Sequence, residues 1–199
     1  PKGWVHVHAG LMHNALAWNL WFGASAESVA LAVAPMFHIT GIVAVLHASI
    51  AAGATLVLMP RWDRDVAAHL IEAWKVTDWI NIPTMVVDLL ASPALARYEL
   101  SSLSCIGGGG AAMAEGGAQR LVEAFGLSYI EAYGLTETAA PSHANPPGRP
   151  KRQCLGVPFI GTDARIVDPD TLAPLPVGQV GEIVIHGPEL FRGFWEQAR

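Results

Sequence analysis

Apolar residues fall along this chain in short, nearly continuous blocks separated by glycines, prolines and acidic turns. Apolar positions at helical spacing predict a helix over 10–21. The blocks over 29–34 and 54–59 read as short strands. Between them a helix starts at Thr40 or Gly41 and stops at Gly53, since glycine accepts the left-handed backbone that ends a helix. Asp63 is the expected N-cap of a helix through Lys75, with Asp65 favourable in its first turn and Val66, Leu70, Ile71 and Trp74 on one face. A strand over 79–82, a helix opened by Pro83, a strand over 103–106, a helix over 114–125 and a strand over 128–132 continue the alternation. Strands that are apolar throughout belong to a parallel sheet covered on both faces. The expected fold class is α/β: a doubly wound, largely parallel sheet flanked by helices, with right-handed crossovers. Such sheets bind ligands at the carboxyl ends of their strands, and two strand-end loops stand out there, 107–111 and 133–138.

After Ala139 the texture changes. Four prolines between 141 and 150 predict a loop. The segments 162–167 and 182–186, with Asp168-Pro169-Asp170 as a turn, read as antiparallel strands of a small β subdomain. The division expected is 1–25, a leading segment and helix; 26–140, the α/β part; and 141–199, a loop and an incomplete β subdomain. The first residue is Pro1 and the last are Gln197-Ala198-Arg199, so the chain is expected to be an excerpt of a longer protein.

Composition narrows the function classes. Hydrophobic residues make up 52% and charged residues 15%, too apolar for intrinsic disorder. A net charge of −5 with no basic run argues against a nucleic-acid partner. Between residues 28 and 60 there is no Asp, Glu, Lys or Arg, but Pro35, Gly41, Gly53 and Pro60 break the stretch. The unbroken piece, 42–52, is about half of the roughly 20 residues a membrane span needs, so no spanning segment is expected. Two cysteines, Cys105 and Cys154, make no disulfide scaffold and favour a reduced, cytoplasmic compartment. His6 and His8 alternate on a strand-like run without a third ligand near them, so they read as satisfied polar residues rather than a zinc site.

Two stretches carry chemistry. Gly107-Gly108-Gly109-Gly110-Ala111 leaves a strand end without side chains, so a flat ligand could lie on the backbone; it fits equally a tight turn with close packing. It does not match the phosphate-loop pattern G-x-x-x-x-G-K-[ST]. Tyr133-Gly134-Leu135-Thr136-Glu137 offers a ring that can stack on a base, a hydroxyl for a phosphate and a hard carboxylate oxygen for Mg²⁺.

The order of these stretches resembles a known family. Residues 130–138, Ile-Glu-Ala-Tyr-Gly-Leu-Thr-Glu-Thr, look like the signature of the adenylate-forming acyl-CoA synthetases, luciferases and peptide-synthetase adenylation domains. Four other stretches agree in order: Pro1-Lys2-Gly3, Pro35-Met36-Phe37-His38-Ile39-Thr40-Gly41, Gly108-Gly109-Gly110-Ala111, and residues 181–188 with Arg192-Gly193-Phe194-Trp195. The resemblance covers essentially the whole chain. It implies an acyl-CoA ligase of the long-chain fatty-acid type that uses ATP, Mg²⁺ and coenzyme A. It implies that Gly108, Gly109, Gly110 and Ala111 line the adenine, that Tyr133 stacks on it within the Tyr133-Gly134-Leu135 segment, and that Thr136 binds the α-phosphate. Glu137 would hold Mg²⁺, His38 would sit at the acyl end, and Lys2 would lie beside the phosphates.

The resemblance also implies missing parts: the head of the phosphate loop, a ribose-binding Asp and a C-terminal domain with an adenylation lysine. This chain alone is therefore expected to bind an adenylate weakly and not to turn over. The absence of acids over 28–60 favours an uncharged hydrophobic acid, a medium to long fatty acid first and an aromatic acid second. A binding-only adenylate domain and a purely structural module are the non-ligase alternatives. Apolar surface on an excerpt calls for dimerisation or for its acidic helices to keep it dissolved, and peripheral attachment of the longer protein to a membrane stays open.

Overall fold

The computed structural model describes residues 2–196; Pro1 of the Pro1-Lys2-Gly3 stretch and 197–199 at the chain end lie outside the described residues. A two-residue strand β1 (Trp4–Val5) leads into helix α1 (His8–Phe22), which ends at Gly23 in the left-handed conformation. Strand β2 (Val29–Ala32) is followed by a π-helical stretch (Gly41–His47) that runs into the short helix α2 (Ala48–Ala52). Strand β3 (Thr55–Leu58), helix α3 (Arg64–Trp74), strand β4 (Asp78–Asn81), helix α4 (Pro83–Leu90), strand β5 (Cys105–Gly108), helix α5 (Glu115–Phe125) and strand β6 (Ile130–Leu135) repeat the alternation.

These strands form one face-covered sheet in the order β3-β2-β4-β5-β6, all parallel. Two antiparallel strands, β7 (Ala140–Ala144) and β8 (Val157–Pro158), extend it to seven. A separate two-stranded sheet pairs β9 (Asp163–Val167) with β10 (Glu182–His186), and β11 (Gly193–Phe194) pairs with β1.

Alternation along each strand sends neighbouring side chains to opposite faces. Leu31 and Trp79 join one core with Ile71 of α3, Leu89 of α4 and Leu121 of α5. Ala32 and Ile80 join the other core with Trp18 of α1 and with Val43, Ala44 and Val45 of the π-helical stretch. The sheet is thus doubly wound. Asp63 caps α3 as its sequence implies, its carboxylate accepting from Asp65 N and Val66 N at 2.9 and 3.0 Å. The buried face of α3 differs from expectation: Ala67, Ala68 and Ile71 are inside, while Val66 and Trp74 are exposed. Ala67 and Ala68 let the helix approach the sheet closely, Ile71 fills the core beside them, and Val66 and Trp74 stay outside.

Three other expectations change. The segment 141–150 is not all loop, because residues 140–144 form the fully buried β7. Pro141 stands beside a register shift between Tyr133 and Gly134, the kind of position where a proline is tolerated in a sheet. Strand β2 stops at Ala32, ahead of Pro35, and the helix after it, begun at Ile39, winds as a π-helix over 41–47. His8 opens α1 rather than sharing a strand face with His6.

Cys105 lies buried at the start of β5, and burial, with the nearby Asp78 carboxylate adding to it, pushes its thiol up to about 12. A thiolate is the reactive form. The expected outcome of adding Ellman's reagent to the folded protein at pH 8 is labelling of Cys154 only, with Cys105 reacting after denaturation; rapid labelling of both would contradict this packing.

Candidate functional site

At the carboxyl ends of the parallel strands lies a cleft of about 550 Å³. It brings together His38, Gly108, Gly109, Gly110, Tyr133, Gly134, Leu135, Thr136 and Glu137, nine of the eleven residues singled out in the sequence. Ala111 and Lys2 are exposed and are not among its lining. The Lys2 ammonium sits over the Phe194 ring, 4.8 Å from its centroid, where the ring's negative face attracts a cation.

The strand-end loops are shorter than the sequence implied. Gly107 and Gly108 belong to β5, and Tyr133, Gly134 and Leu135 belong to β6. Close packing explains most of the glycine run. A Cβ on Gly108 would overlap the Asn81 carbonyl, and one on Gly109 the Ala132 carbonyl. Gly110 differs: it is exposed, at φ +84, and a Cβ there would meet only Ile82 Cγ2, at an ordinary contact distance of 3.9 Å. Gly134 has the same steric need as Gly108, since a Cβ there would collide with the Ala140 carbonyl across the β6–β7 pair.

Thr136 and Glu137 lie in a single 3-10 turn, Thr136–Thr138, where the chain reverses from parallel β6 into antiparallel β7. The reversal requires Ala139 and Ala140 at φ 52 and φ 83, a conformation that costs a non-glycine residue about 1–3 kcal/mol. Surrounding bonds hold it. The buried amide of Asn14 on α1 donates to Thr138 O at 2.9 Å and Ala139 O at 2.6 Å. Thr138 Oγ1 accepts from Leu135 N at 2.9 Å and lies 2.8 Å from Ala140 O. His6 Nε2 donates to Thr136 O at 2.7 Å, Phe191 N to Glu137 O at 2.8 Å, and the Trp4 indole to Glu137 Oε1 at 3.0 Å. The segments around β1 and β11 therefore clasp the turn from outside.

Other side chains set the walls. At the cleft mouth Thr40 N donates to His38 Nδ1 at 3.2 Å, which leaves the proton of a neutral ring on Nε2. Val33, Ile80, Ile82 and Met85 make the cleft largely apolar. His143, on β7 opposite Tyr133, meets the Tyr133 ring edge-on at 5.9 Å and lies 2.9 Å from Ser142 Oγ. Burial lowers the His143 pKa, and the Glu189 carboxylate opposes this. Glu131 fixes the far side of β6, accepting from Met113 N at 2.8 Å and Cys154 N at 3.0 Å. Among the described residues no group of three His, Cys, Asp or Glu side chains is placed to hold a metal.

The AMP-binding enzyme family matches residues 1–195. This chain belongs to that family. It is 32% identical over 201 residues to a long-chain-fatty-acid–CoA ligase of Bacillus subtilis, covering 99% of this chain and 36% of that protein. It is 32% identical to 4-coumarate–CoA ligase 2 of Oryza sativa, covering 98% of this chain and 36% of the relative. Its fold matches ATP-bound MatB of Rhodopseudomonas palustris with a TM-score of 0.91 at 26% identity, over 98% of this chain and 38% of that one. The chain spans little more than a third of the length of these relatives. No helix among the described residues is long and apolar enough to cross a membrane.

Asn14, Trp4 and His143 were not singled out by sequence as parts of this site; His6 was read as a satisfied polar residue near the cleft, and Thr138 stood in the 130–138 signature without a role. Asn14 left a signal, a lone amide among apolar positions of a helix, because a buried polar group implies a partner.

Two outcomes are expected. Asn14→Ala leaves two carbonyls without their donor and should lower stability by about 1–3 kcal/mol in urea unfolding; an unchanged midpoint would mean that the turn holds itself. His143 is lowered in the folded state, so the unfolded chain binds the extra proton first. Its stabilisation is present above the unfolded value and is lost as pH falls through the folded one. Between about pH 7 and 5 the melting temperature of His143→Asn should therefore fall less steeply than that of the natural sequence. Parallel curves would refute the burial effect.

Proposed function

We propose that this chain is the acyl- and adenylate-binding part of an ATP-dependent acid–CoA ligase, with an uncharged hydrophobic acid, foremost a medium to long fatty acid, as substrate. The observation that carries the reading is that one cleft unites the glycine edge of β5, the Tyr133 ring, the Thr136–Glu137 turn and His38 with an apolar wall. In the proposed reaction the substrate carboxylate attacks the α-phosphorus of ATP and pyrophosphate leaves. The coenzyme A thiol then attacks the acyl carbonyl, and AMP leaves.

The first step brings an anion to an anion, so positioning and charge neutralisation dominate its barrier. In this reading Tyr133 stacks on the adenine, with Gly109 and Gly110 giving its face a floor without side chains. Thr136 donates to the α-phosphate, and His38 meets the carboxylate end from the cleft mouth. The strained, clasped turn keeps Thr136 and Glu137 in place before substrate arrives, so little ordering is left to be done on binding. A divalent cation fits the donor set: Glu137 supplies one hard carboxylate oxygen beside a hydroxyl, and Mg²⁺ commonly takes one or two carboxylates and completes its shell with phosphate oxygens and water. When bound it would neutralise phosphate charge.

An aromatic acid is the second reading, supported by the 32% identity to the rice 4-coumarate ligase.

The test is pyrophosphate release by the full-length protein with ATP, Mg²⁺ and coenzyme A across straight-chain acids, benzoate and coumarate. A peak on aliphatic acids is expected; an aromatic peak overturns the substrate, and no release with any acid overturns the ligase reading. Glu137→Gln should lower turnover by about 10²–10³-fold, and unaltered turnover would remove Glu137 from the metal role.

A further inference from the structure

The apolar cleft does not end where its volume does. Behind it, between α1, the π-helical stretch and the sheet, lies a second, narrower cavity of about 30 Å³. The two share Trp18 and Ile80 in their walls. Trp18 is 5% exposed and Ile80 7%, so both are packed into the partition rather than loose at a surface. The Trp18 ring is braced by Phe22, 4.2 Å between centroids, and by Phe159 at 6.3 Å. The rear cavity in turn shares Phe22, Ser28, Asp78 and Cys105 with an open groove of about 640 Å³ at the amino ends of the strands. Three spaces thus follow one another along the α1 face of the sheet, and the indole of Trp18 with Ile80 closes the first from the second.

We propose that Trp18 is the acyl-length stop of this site: a straight aliphatic tail ends against its indole, and removing the indole lets the tail run on toward the amino ends of the strands. The inference rests on the ligase reading and names the residue that sets its substrate length. The neighbours of the partition support it. Ala44, Val45, Ala48, Ala30 and Leu31 make the rear cavity mostly apolar, so a tail entering it stays out of water. Of its polar residues, Ser28 and Asp78 stand where it meets the solvent-open groove; the other two are Ser49 and Asn19, whose amide donates to Ala48 O at 2.8 Å. At about 30 Å³ the rear space has room for little more than a water, so a long tail needs the volume of the indole as well.

The test compares kcat/KM of the full-length protein for straight-chain acids from six to eighteen carbons, in the natural sequence and in Trp18→Ala. The expected result is a shift of the optimum to longer acids, with a gain of about fourfold for each additional methylene that becomes buried. Shorter acids should lose affinity, because they no longer meet a wall. Should Trp18→Ala fail to fold by circular dichroism, Ile80→Ala opens the same partition from the sheet side and Trp18→Leu opens it in part; both should move the optimum in the same direction. A length profile identical to that of the natural sequence in a folded variant would overturn the proposal. If the natural sequence turned over no acid, the ligase reading would fall. The stop would then be judged from calorimetric binding of decanoate and palmitate: palmitate gaining on decanoate in Trp18→Ala supports it, and an unchanged ratio overturns it.

Discussion

The amide of Asn14 holds the most demanding piece of this structure. At the end of β6 the chain must turn from a parallel strand into an antiparallel one within three residues, and it does so through two alanines at positive φ. No local preference favours that path, since the left-handed region penalises any residue with a Cβ. Both carbonyls freed by the turn face α1, and Asn14 is the donor that meets them. The placement of Thr136 and Glu137, the depth of the cleft and the pairing of Tyr133 with His143 all depend on where that turn lies. The rest of α1 is apolar enough to bury without such a group, so the position of the asparagine serves the turn more than the helix.

This arrangement divides labour between rigid and open parts. The sheet supplies fixed strand ends, packed on both faces by Leu31, Trp79 and Ile71 on one side and by Trp18, Ile80 and Val43 on the other. The clasp of Trp4, His6 and Phe191 closes the turn from outside without entering the lining of the cleft. What stays open is the carboxyl-end cleft, where an adenylate and an apolar tail would meet. In the proposed reaction, charge stabilisation is useful only if the donors are in place beforehand, and the strained turn is a means of having them there.

The parallel core was legible because its periodicities are strong: apolar strand blocks, an Asp63 cap and glycine stops each point the same way. Strand β7 was hidden by prolines, whose meaning depends on a register shift that no single segment reveals. The outward placement of Val66 and Trp74 was hidden because a sequence shows which residues are apolar, not how closely a helix must approach a sheet. At the site, Tyr133, Thr136, Glu137 and His38 were legible as residue types in order. The glycine run was legible only in part, because Gly108 and Gly109 answer to the carbonyls of Asn81 and Ala132 on neighbouring strands. Lys2 and Ala111 fell outside the cleft, and the bonds that hold the turn were hard to see because Trp4, His6 and Asn14 lie more than a hundred residues from it in the chain.

The central claim is that the Thr136–Ala140 turn and the glycine edge of β5 form one pre-built adenylate site. Its most direct test is amide chemical-shift mapping of the chain with AMP. The account predicts shifts confined to Gly108–Gly110 and Tyr133–Glu137, together with the Trp4 indole N–H that bonds Glu137. Shifts gathered instead around Ser28, Asp78 and Ser104 at the opposite end of the sheet, or none at saturating AMP, would contradict it.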